Sequence, residues 1–474
     1  MAHIETPPTS ASPSPPESSA PGGIAGYFQF AERGTTARTE ILGGITTFAT
    51  MAYIIVVNPA ILQFAGIPIG PSTVATILTA AFGTLLMGLY ANRPIAVAPY
   101  MGENAFLAFG LAALGIGWQL RLGAVFVSGL LFLAMTLLGI RTWLANSISS
   151  SLKHSFAVGI GLFLAFIGLY ETGIVTSFVE GMPVPAGQFL SRPDVPVKLG
   201  NLHDTKVLLS LFGFTITVLL LLWRVRGAIL LGIIATAVAG MLAGVGKAPA
   251  GIVAMPFVGD YSLAPIAFHL DLKGVFEWTF LPILLTLFLM SFLDTLGTLV
   301  GVGAAGNMLD EHGNLPQMER PMLVDAVTCV FSALVGTSTS GAYIESATGV
   351  REGARTGLAS VTTAVLFLAS LFFIPLVQPL QHLSYAYGPA LIVVGIMMMP
   401  AVKHIDFDDL TEAAPAFVTL AMIVFTYNIG NGLTAGLVLY PVLKLLTGRV
   451  RELTPGSVIL GLLCLGYFVL GRPH

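Results

Sequence analysis

Three acidic residues and one amide lie inside apolar stretches of this 474-residue chain, where polar side chains are costly. Asp294 stands within LPILLTLFLMSFLDTLGTLVG, and Thr298 lies one turn further on the same predicted helix face. Glu345 follows TSTSGAY, and Glu103 and Asn104 follow PIAVAPYMG. We expect Glu345 to stand at the start of a half-helix, where unpaired backbone N–H groups add to the side chain. Carboxyl groups away from water can exchange a proton or accept ligand N–H groups. An amide offers a donor and an acceptor to the edge of a heterocycle. These residues therefore predict a substrate or proton site.

A structural role is the competing interpretation for the same residues. Asp294 and Glu345 would then be tied to a neighbouring helix, Glu103 would support an interrupted segment, and Asn104 would cap a helix locally. The eight histidines show no metal-ligand spacing, and the two cysteines both lie in apolar runs. We therefore expect neither a metal nor any other cofactor.

The composition is that of a membrane protein. Apolar residues make up 55% of the chain, charged residues 9%, and the mean hydropathy is +0.86, whereas soluble proteins carry about 25% charged residues. The net charge of −3 leaves no basic excess for a nucleic acid. Apolar runs near the ~20-residue bilayer length recur from Thr36 onward, and helices are the default in lipid. We predict an all-α polytopic membrane protein with about 14 transmembrane segments in a lipid bilayer.

The interrupted apolar stretches indicate an internal repeat. Glu103-Asn104-Ala105 matches Glu345-Ser346-Ala347 at an offset of 242 residues. Seven segments between the two matches would place the halves in opposite orientation, as in transporters whose broken helices hold the substrate near the bilayer midplane. Chance alignment of glycine-rich strings is the alternative. The predicted parts are a disordered tail 1–35, a first repeat 36–246, an extramembrane loop 247–276, a second repeat 277–447 and a short C-terminal apolar segment 448–474.

Basic residues near the segment ends predict the orientation. Arg33 and Arg38 precede the first segment, and most later Lys and Arg residues fall in loops that share its side. We expect a multi-pass protein of the plasma (inner) membrane with a cytoplasmic N-terminus.

Five strings carry a family resemblance. They are RTEILGGITTFATMAYIIVVNPAIL in the first segment, APYMGENAF in the third, SFLDTLGTLVG in the eighth, GTSTSGAYIESATGVREGARTGLAS in the tenth and GPALIVVGIMMM in the twelfth. From about Thr36 onward the chain resembles the Azg-like purine permease branch of the nucleobase–cation symporter superfamily, which also contains xanthine and uracil permeases.

The resemblance implies two inverted halves of seven segments. A core domain would comprise 36–150 and 277–380, and a gate domain 151–246 and 381–447. The third and tenth segments would contain short antiparallel strands, and the substrate would bind between them against the eighth segment.

The resemblance also implies roles for individual residues. The acid of the eighth segment matches Asp294, with Thr298 one turn later, and the acid of the tenth segment matches Glu345 after Tyr343 and Ile344. Many members of the superfamily carry an apolar residue at the position of Glu103, so the chemistry of the third segment departs from the family pattern.

We therefore expect a secondary active transporter that imports purine nucleobases, namely hypoxanthine, guanine or adenine, by proton symport as the core moves against the gate. The predicted substrate-binding residues are Asp294, Glu345, Asn104, Glu103, Thr298, Tyr343 and Ile344. Asp294 and Glu345 are also the predicted proton-coupling residues.

Three other functions stay open. One is a permease of the xanthine/uracil type. Another is an anion exchanger of the sulfate-permease type, although a basic residue would bind its anionic substrate better than the acids at 294 and 345. A membrane-embedded enzyme would need a nucleophile–base or metal constellation at depth, and the sequence shows no such grouping, so we expect no enzyme. The sequence also leaves open whether a second copy of the chain is a partner in a homodimer.

Overall fold

The long apolar runs form helices, as expected where lipid offers the backbone no partner. The computed structural model describes residues 23–111, 115–140, 143–144, 147–178, 197–249, 251–277, 280–310 and 315–470. Within these residues, nine helices are long and apolar enough to cross a membrane, and three shorter apolar helices accompany them. By this measure the predicted count of 14 segments is not confirmed. Most of the predicted tail, residues 1–22, lies outside the described residues.

The helices of the first half come before the predicted extramembrane loop. They are α1 Ile24–Tyr27, α2 Ala37–Met51, α3 Ile54–Leu62, α4 Ile69–Leu89, α5 Met101–Ala105, α6 Trp118–Leu137, α7 Ser150–Glu171, α8 Thr205–Leu222 and α9 Ala228–Leu242. A π-helical turn, Phe106–Gly110, continues α5. Short α1 lies in what the sequence predicted as the end of the tail, and Phe28 and Phe30 beside it are buried.

The helices of the second half follow residues 247–276, where the described residues contain two short 3-10 turns. They are α10 Leu281–Ala305, α11 Glu319–Val335, α12 Ser346–Arg351, α13 Gly357–Ser370, α14 Ile374–Gln381, α15 Ser384–Met398, α16 Leu410–Phe425, α17 Ile429–Leu446 and α18 Pro455–Leu470. Helix α18 corresponds to the predicted C-terminal apolar segment, and its Cys464 is fully buried.

Two short strands replace helix where the sequence is interrupted. Strand β1, Val97–Pro99, pairs antiparallel with strand β4, Ser340–Ala342, so that Ala98 lies opposite Gly341. Proline, glycine and runs of Ser and Thr disfavour helix, and the extended backbone needs a partner inside the membrane. The predicted strands of the third and tenth segments are therefore confirmed. A second strand pair was not predicted: β2, Val175–Ser177, with β3, Val197–Leu199.

Buried side chains complete the hydrogen bonds of the central strand pair. The Thr84 hydroxyl both donates to the carbonyl and accepts from the N–H of Val97, at 2.9 Å each. On the other strand, the Asp325 carboxylate accepts the Ala342 N–H at 2.9 Å. These bonds matter because an unpaired backbone group in an apolar interior costs about as much as a lost hydrogen bond.

Glycine allows the close approach of the two interrupted segments. A Cβ atom built on Gly341 would lie 2.2 Å from the hydroxyl oxygen of Tyr100. Any other residue at this position would push the Tyr100 ring away from β4. The fold thus brings the third and tenth segments together at the centre of the helix bundle.

Candidate functional site

A cavity of about 340 Å³ lies between the two interrupted segments and α10. Helices α7 and α15 close its other side. Five of the seven predicted site residues line it: Asp294, Thr298, Tyr343, Ile344 and Glu345. Pockets for small molecules usually measure about 300–1,000 Å³, so this cavity suits a ligand of few atoms.

Glu345 stands at the cavity wall immediately before α12 and is 7% exposed. Its carboxylate accepts a hydrogen bond of 2.7 Å from the Tyr53 hydroxyl. Tyr53 lies at the break between α2 and α3, where the first segment is interrupted. The carboxylate is therefore held in one direction by a residue 292 positions away in the chain.

The start of α12 differs from one expectation. The sequence predicted unpaired backbone N–H groups beside Glu345 at the beginning of a half-helix. In the structure, the N–H groups of Ser346, Ala347 and Thr348 donate to the carbonyls of Tyr343, Ile344 and Glu345. The tight turn that leads from β4 into the helix uses these donors, so for these three groups the expectation is wrong.

Asp294 lies in the middle of α10 and is partly buried. Within the described residues its carboxylate accepts no hydrogen bond. Thr298, one turn later, lines the same cavity, which agrees with the shared helix face that the sequence predicted. Neighbouring Thr295 turns away and bonds to the Tyr100 hydroxyl at 2.9 Å. Asp294 is thus an acceptor that faces the cavity without a protein donor.

Two tyrosines join the interrupted segments and form an aromatic wall. The rings of Tyr100 and Tyr343 stack with centroids 6.2 Å apart and an angle of 10° between their planes. The Tyr343 hydroxyl donates to the Pro99 carbonyl, and the Tyr343 N–H donates to the Ala96 carbonyl at 2.9 Å. Because both side chains line the cavity, a ligand there meets flat apolar faces beside carboxylates.

Glu103 and Asn104 lie behind the cavity rather than on its wall, and both are fully buried. The Asn104 amide donates to the Asn58 side-chain oxygen at 2.7 Å, and Asn58 in turn donates to Thr76 and Thr337 at 2.8 and 3.0 Å. Among the described residues, no other residue donates a hydrogen bond to either carboxylate oxygen of Glu103. In this conformation their positions agree with the supporting role that the sequence left open.

The sequence reasoning did not single out several residues of the site. Tyr53, Tyr100 and Arg351 line the cavity, and Asp325 lies behind it, fully buried, where it holds β4. Asp325 carries a signal that was available, because it is an acid inside the apolar stretch of a predicted segment. Tyr53 belongs to the first-segment motif, but nothing local connects it with Glu345.

The arrangement defines a class of protein. Interrupted membrane segments from two halves meet at a small internal cavity, which is how secondary transporters build a substrate site. Solved structures agree with this fold: the transmembrane domain of a cyanobacterium bicarbonate transporter, BicA, matches with a TM-score of 0.57 and 15% identity over 84% of this chain and 97% of that chain.

The family follows from the sequence comparison. The chain matches the model of the Permease family, Xan_ur_permease, over residues 38–434, and it belongs to this family. It is 38% identical to the adenine permease AdeP of Escherichia coli K12 over 448 residues, which cover 94% of this chain and 96% of AdeP. It is 39% identical to the guanine/hypoxanthine permease PbuG of Bacillus subtilis 168 over 456 residues, 94% of this chain and 99% of PbuG. The protein is a multi-pass membrane permease and not an enzyme.

Proposed function

We propose that this permease imports purine nucleobases by proton symport across the plasma membrane, with its N-terminus in the cytoplasm. The observation that carries the proposal is that Asp294 and Glu345 line one cavity whose wall is a pair of stacked tyrosines. A purine presents flat faces and an edge of N–H donors and ring acceptors. The relatives AdeP and PbuG are named as permeases for adenine and for guanine and hypoxanthine, which supports this substrate class.

The two carboxylates would share the recognition of the ring edge. Glu345 is already oriented by the Tyr53 hydroxyl and keeps its remaining acceptor capacity for the substrate. Asp294 has no donor among the described protein groups, so a substrate N–H would supply its partner. Thr298, Tyr343 and Ile344 would complete the pocket through contacts with the ring. The bond to ionised Glu345 would be about twice as strong as a bond to a neutral acceptor.

Proton coupling would reside in the same acids. An ionised carboxylate in a dry cavity is costly unless a donor or a cation stabilises it. Because Glu345 is bonded to Tyr53 and Asp294 is not, we assign the transported proton to Asp294. Protonated Asp294 would donate its O–H to a ring acceptor of the purine while its other oxygen accepts a ring N–H, so binding of the proton and binding of the substrate would favour each other, as symport requires.

Transport would use movement between the two proposed domains. The gate domain, 151–246 and 381–447, contributes apolar residues of α7 and α15 to the cavity, whereas the core domain, 36–150 and 277–380, contributes both acids. The cavity therefore lies along the proposed boundary between core and gate. A displacement of the core against an apolar gate surface would open it to one side of the membrane and then to the other.

Uptake of radiolabelled hypoxanthine by cells without their own purine permeases tests the substrate class. Adenine, guanine, xanthine and uracil serve as competitors, so that preference for xanthine or uracil would reveal the other permease type. We expect Asp294→Asn and Glu345→Gln to reduce uptake strongly, while Asp260→Asn, which changes an exposed acid in a loop, leaves it unchanged. Uptake that persists in both site variants would contradict the site.

An ionophore experiment tests the coupling ion separately. A protonophore should collapse hypoxanthine accumulation at external pH below the internal pH, and an imposed inward pH gradient should restore it in vesicles. Strict dependence on sodium, with no response to the protonophore, would contradict proton symport without affecting the substrate assignment.

A further inference from the structure

A second cavity, of about 680 Å³, lies away from the substrate site at one end of the proposed core domain. Its walls come from the segment before α2, from the end of α4 with the loop that follows, and from the residues that lead into α11. Because Lys and Arg concentrate in the cytoplasmic loops of membrane proteins, we assign all three walls to the cytoplasmic side.

The charge of this cavity is one-sided. Three of its lining residues are arginines, Arg33, Arg93 and Arg320, and no Asp or Glu is among the described residues that line it. We refer to these three residues as the arginine cluster. Opposite charges normally neutralise cations that are withdrawn from water, so a cluster of this kind favours an anion between its members.

Arg93 is the buried member of the arginine cluster, with 7% of its surface exposed. Within the described residues, its guanidinium makes one hydrogen bond, to the Pro316 carbonyl, although it carries five N–H donors. Burial, followed by the nearby charges of Arg33 and Arg320, lowers the pKa of Arg93 to about 10. Arg93 thus lines the cavity as a cation with free donors and no carboxylate partner.

The two described acids nearest to Arg33 do not fill this role. Glu40 lies near Arg33, but its carboxylate accepts the backbone N–H groups of Arg355 and Thr356 at 2.8 and 3.1 Å and the Thr35 hydroxyl at 2.8 Å. Glu32, also near Arg33, is exposed and does not line the cavity. Arg33 itself is fixed by bonds to the carbonyls of Asn92 and Arg355, at 3.2 Å each.

We propose that the arginine cluster binds a phosphate group at the cytoplasmic face of the core domain, supplied by an anionic phospholipid headgroup or by a soluble phosphate ester. Planar guanidinium groups pair with phosphate oxygens in bidentate fashion, which three convergent arginines permit. Tyr27, Leu89 and Tyr90 at the rim are exposed, and aromatic residues of this kind sit at the headgroup level of membranes. Because Arg93 stands four residues before β1, the bound phosphate stabilises the entry to the third segment.

Thermal unfolding of the purified full-length protein tests the proposal. In detergent with phosphatidylcholine alone, the melting temperature is followed as inorganic phosphate is added against sodium chloride at equal ionic strength. In a parallel arm, phosphatidylglycerol replaces part of the phosphatidylcholine. We expect a saturable rise of the melting temperature in at least one arm. A rise with inorganic phosphate shows that a soluble phosphate group is sufficient, and a rise with phosphatidylglycerol alone identifies the lipid headgroup as the source.

Charge-removing variants locate the response. Arg320→Gln and Arg93→Gln should weaken the apparent affinity at least ~10-fold, because a hydrogen bond to a charged group contributes about 1.5–3 kcal/mol. Arg38→Gln removes an exposed charge near the same membrane face without touching the cavity and should respond like wild type. If Arg93→Gln does not fold, the comparison of wild type with Arg320→Gln tests the proposal, because Arg320 is exposed and its substitution should not prevent folding. No saturable response in either arm, or equal responses of wild type and Arg320→Gln, would overturn the proposal.

Discussion

The third and tenth segments use the same local design but place their acids differently. Each has a short strand, a tyrosine and a short helix, and the two strands pair with each other. Glu345 reaches the cavity wall and is bonded to Tyr53. Glu103, its counterpart in the repeat, is fully buried, and neither of its carboxylate oxygens has a hydrogen-bond partner in another described residue.

The difference shows that the repeat determines the path of the backbone, whereas the neighbouring helices determine which side chain reaches the cavity. At the third segment, Met101 and Gly102 line the cavity, and a Cβ atom on Gly102 would lie 2.8 Å from Ile160 of α7. At the tenth segment, the cavity is lined by Tyr343, Ile344 and Glu345 themselves. The third segment therefore presents Tyr100 with small or apolar groups, and the tenth segment presents the acid.

The largest effect on transport should come from the acids at the cavity. Glu345→Gln and Asp294→Asn each remove an ionisable acceptor, and we expect at least a ~10-fold to 100-fold loss of initial hypoxanthine uptake, because a hydrogen bond to a charged group contributes about 1.5–3 kcal/mol. Immunoblots of membrane fractions provide the correction for protein amount. Uptake by Glu345→Gln within ~2-fold of wild type would contradict the role that we assign to the tenth segment.

The next largest effect is expected from a matched pair of glycine substitutions, which compares the two segments directly. Gly341→Ala places a methyl group 2.2 Å from the Tyr100 hydroxyl oxygen, whereas Gly102→Ala places one 2.8 Å from a methyl carbon of Ile160. Overpacking costs about 1–3 kcal/mol, and Ile160 can yield more easily than a ring that is held at both ends. We expect ~10-fold lower uptake for Gly341→Ala and at most a ~3-fold loss for Gly102→Ala. The reverse order would contradict the comparison.

A smaller effect is expected from the residue that orients Glu345. Tyr53→Phe removes the hydroxyl donor of the 2.7 Å bond and keeps the ring. Hypoxanthine affinity should fall ~3-fold to 10-fold, since one hydrogen bond to a charged acceptor is lost while the carboxylate still faces the cavity. Competition binding measures it. In the double variant with Glu345→Gln, the loss should not add, because both changes break one interaction.

The smallest effect on transport is expected at Glu103. Glu103→Leu should leave uptake within ~2-fold of wild type and raise the melting temperature, because an unpartnered buried polar group costs about 1–3 kcal/mol. The matched variant Glu345→Leu should lose uptake. Abolished uptake in a well-folded Glu103→Leu protein would mean that Glu103 contacts the substrate in another conformation, as the sequence first indicated.

Much of the fold could be predicted because it depends on local patterns. Proline, glycine and Ser/Thr runs marked β1 and β4, and the 3.6-residue period placed Asp294 and Thr298 on one face. The segment count was less secure because Ala228–Leu242 and Leu410–Phe425 are shorter than a usual span. The unpredicted strands β2 and β3 lie beside a polar loop without a strong apolar alternation.

The candidate site could be predicted only in part, because its details depend on contacts between distant residues. The acids were visible as charges in apolar surroundings, and five of the seven residues line the cavity. The bond from Tyr53 to Glu345 and the burial of Glu103 arise from helix packing that no local pattern encodes. Asp325 was missed because it lies only five residues after Arg320, at the polar start of its segment, and its burial arises from helix packing.

The pairing of β1 with β4 also bears on how such a chain can be divided. Each strand supplies the partner for the other's backbone groups, so a half expressed alone would leave an open sheet edge within lipid, which membranes do not tolerate. Cutting the chain in the connection 247–276 should therefore yield fragments that are unstable apart and associate when produced together. The three paired residues of each strand therefore make the stability of each half depend on the presence of the other.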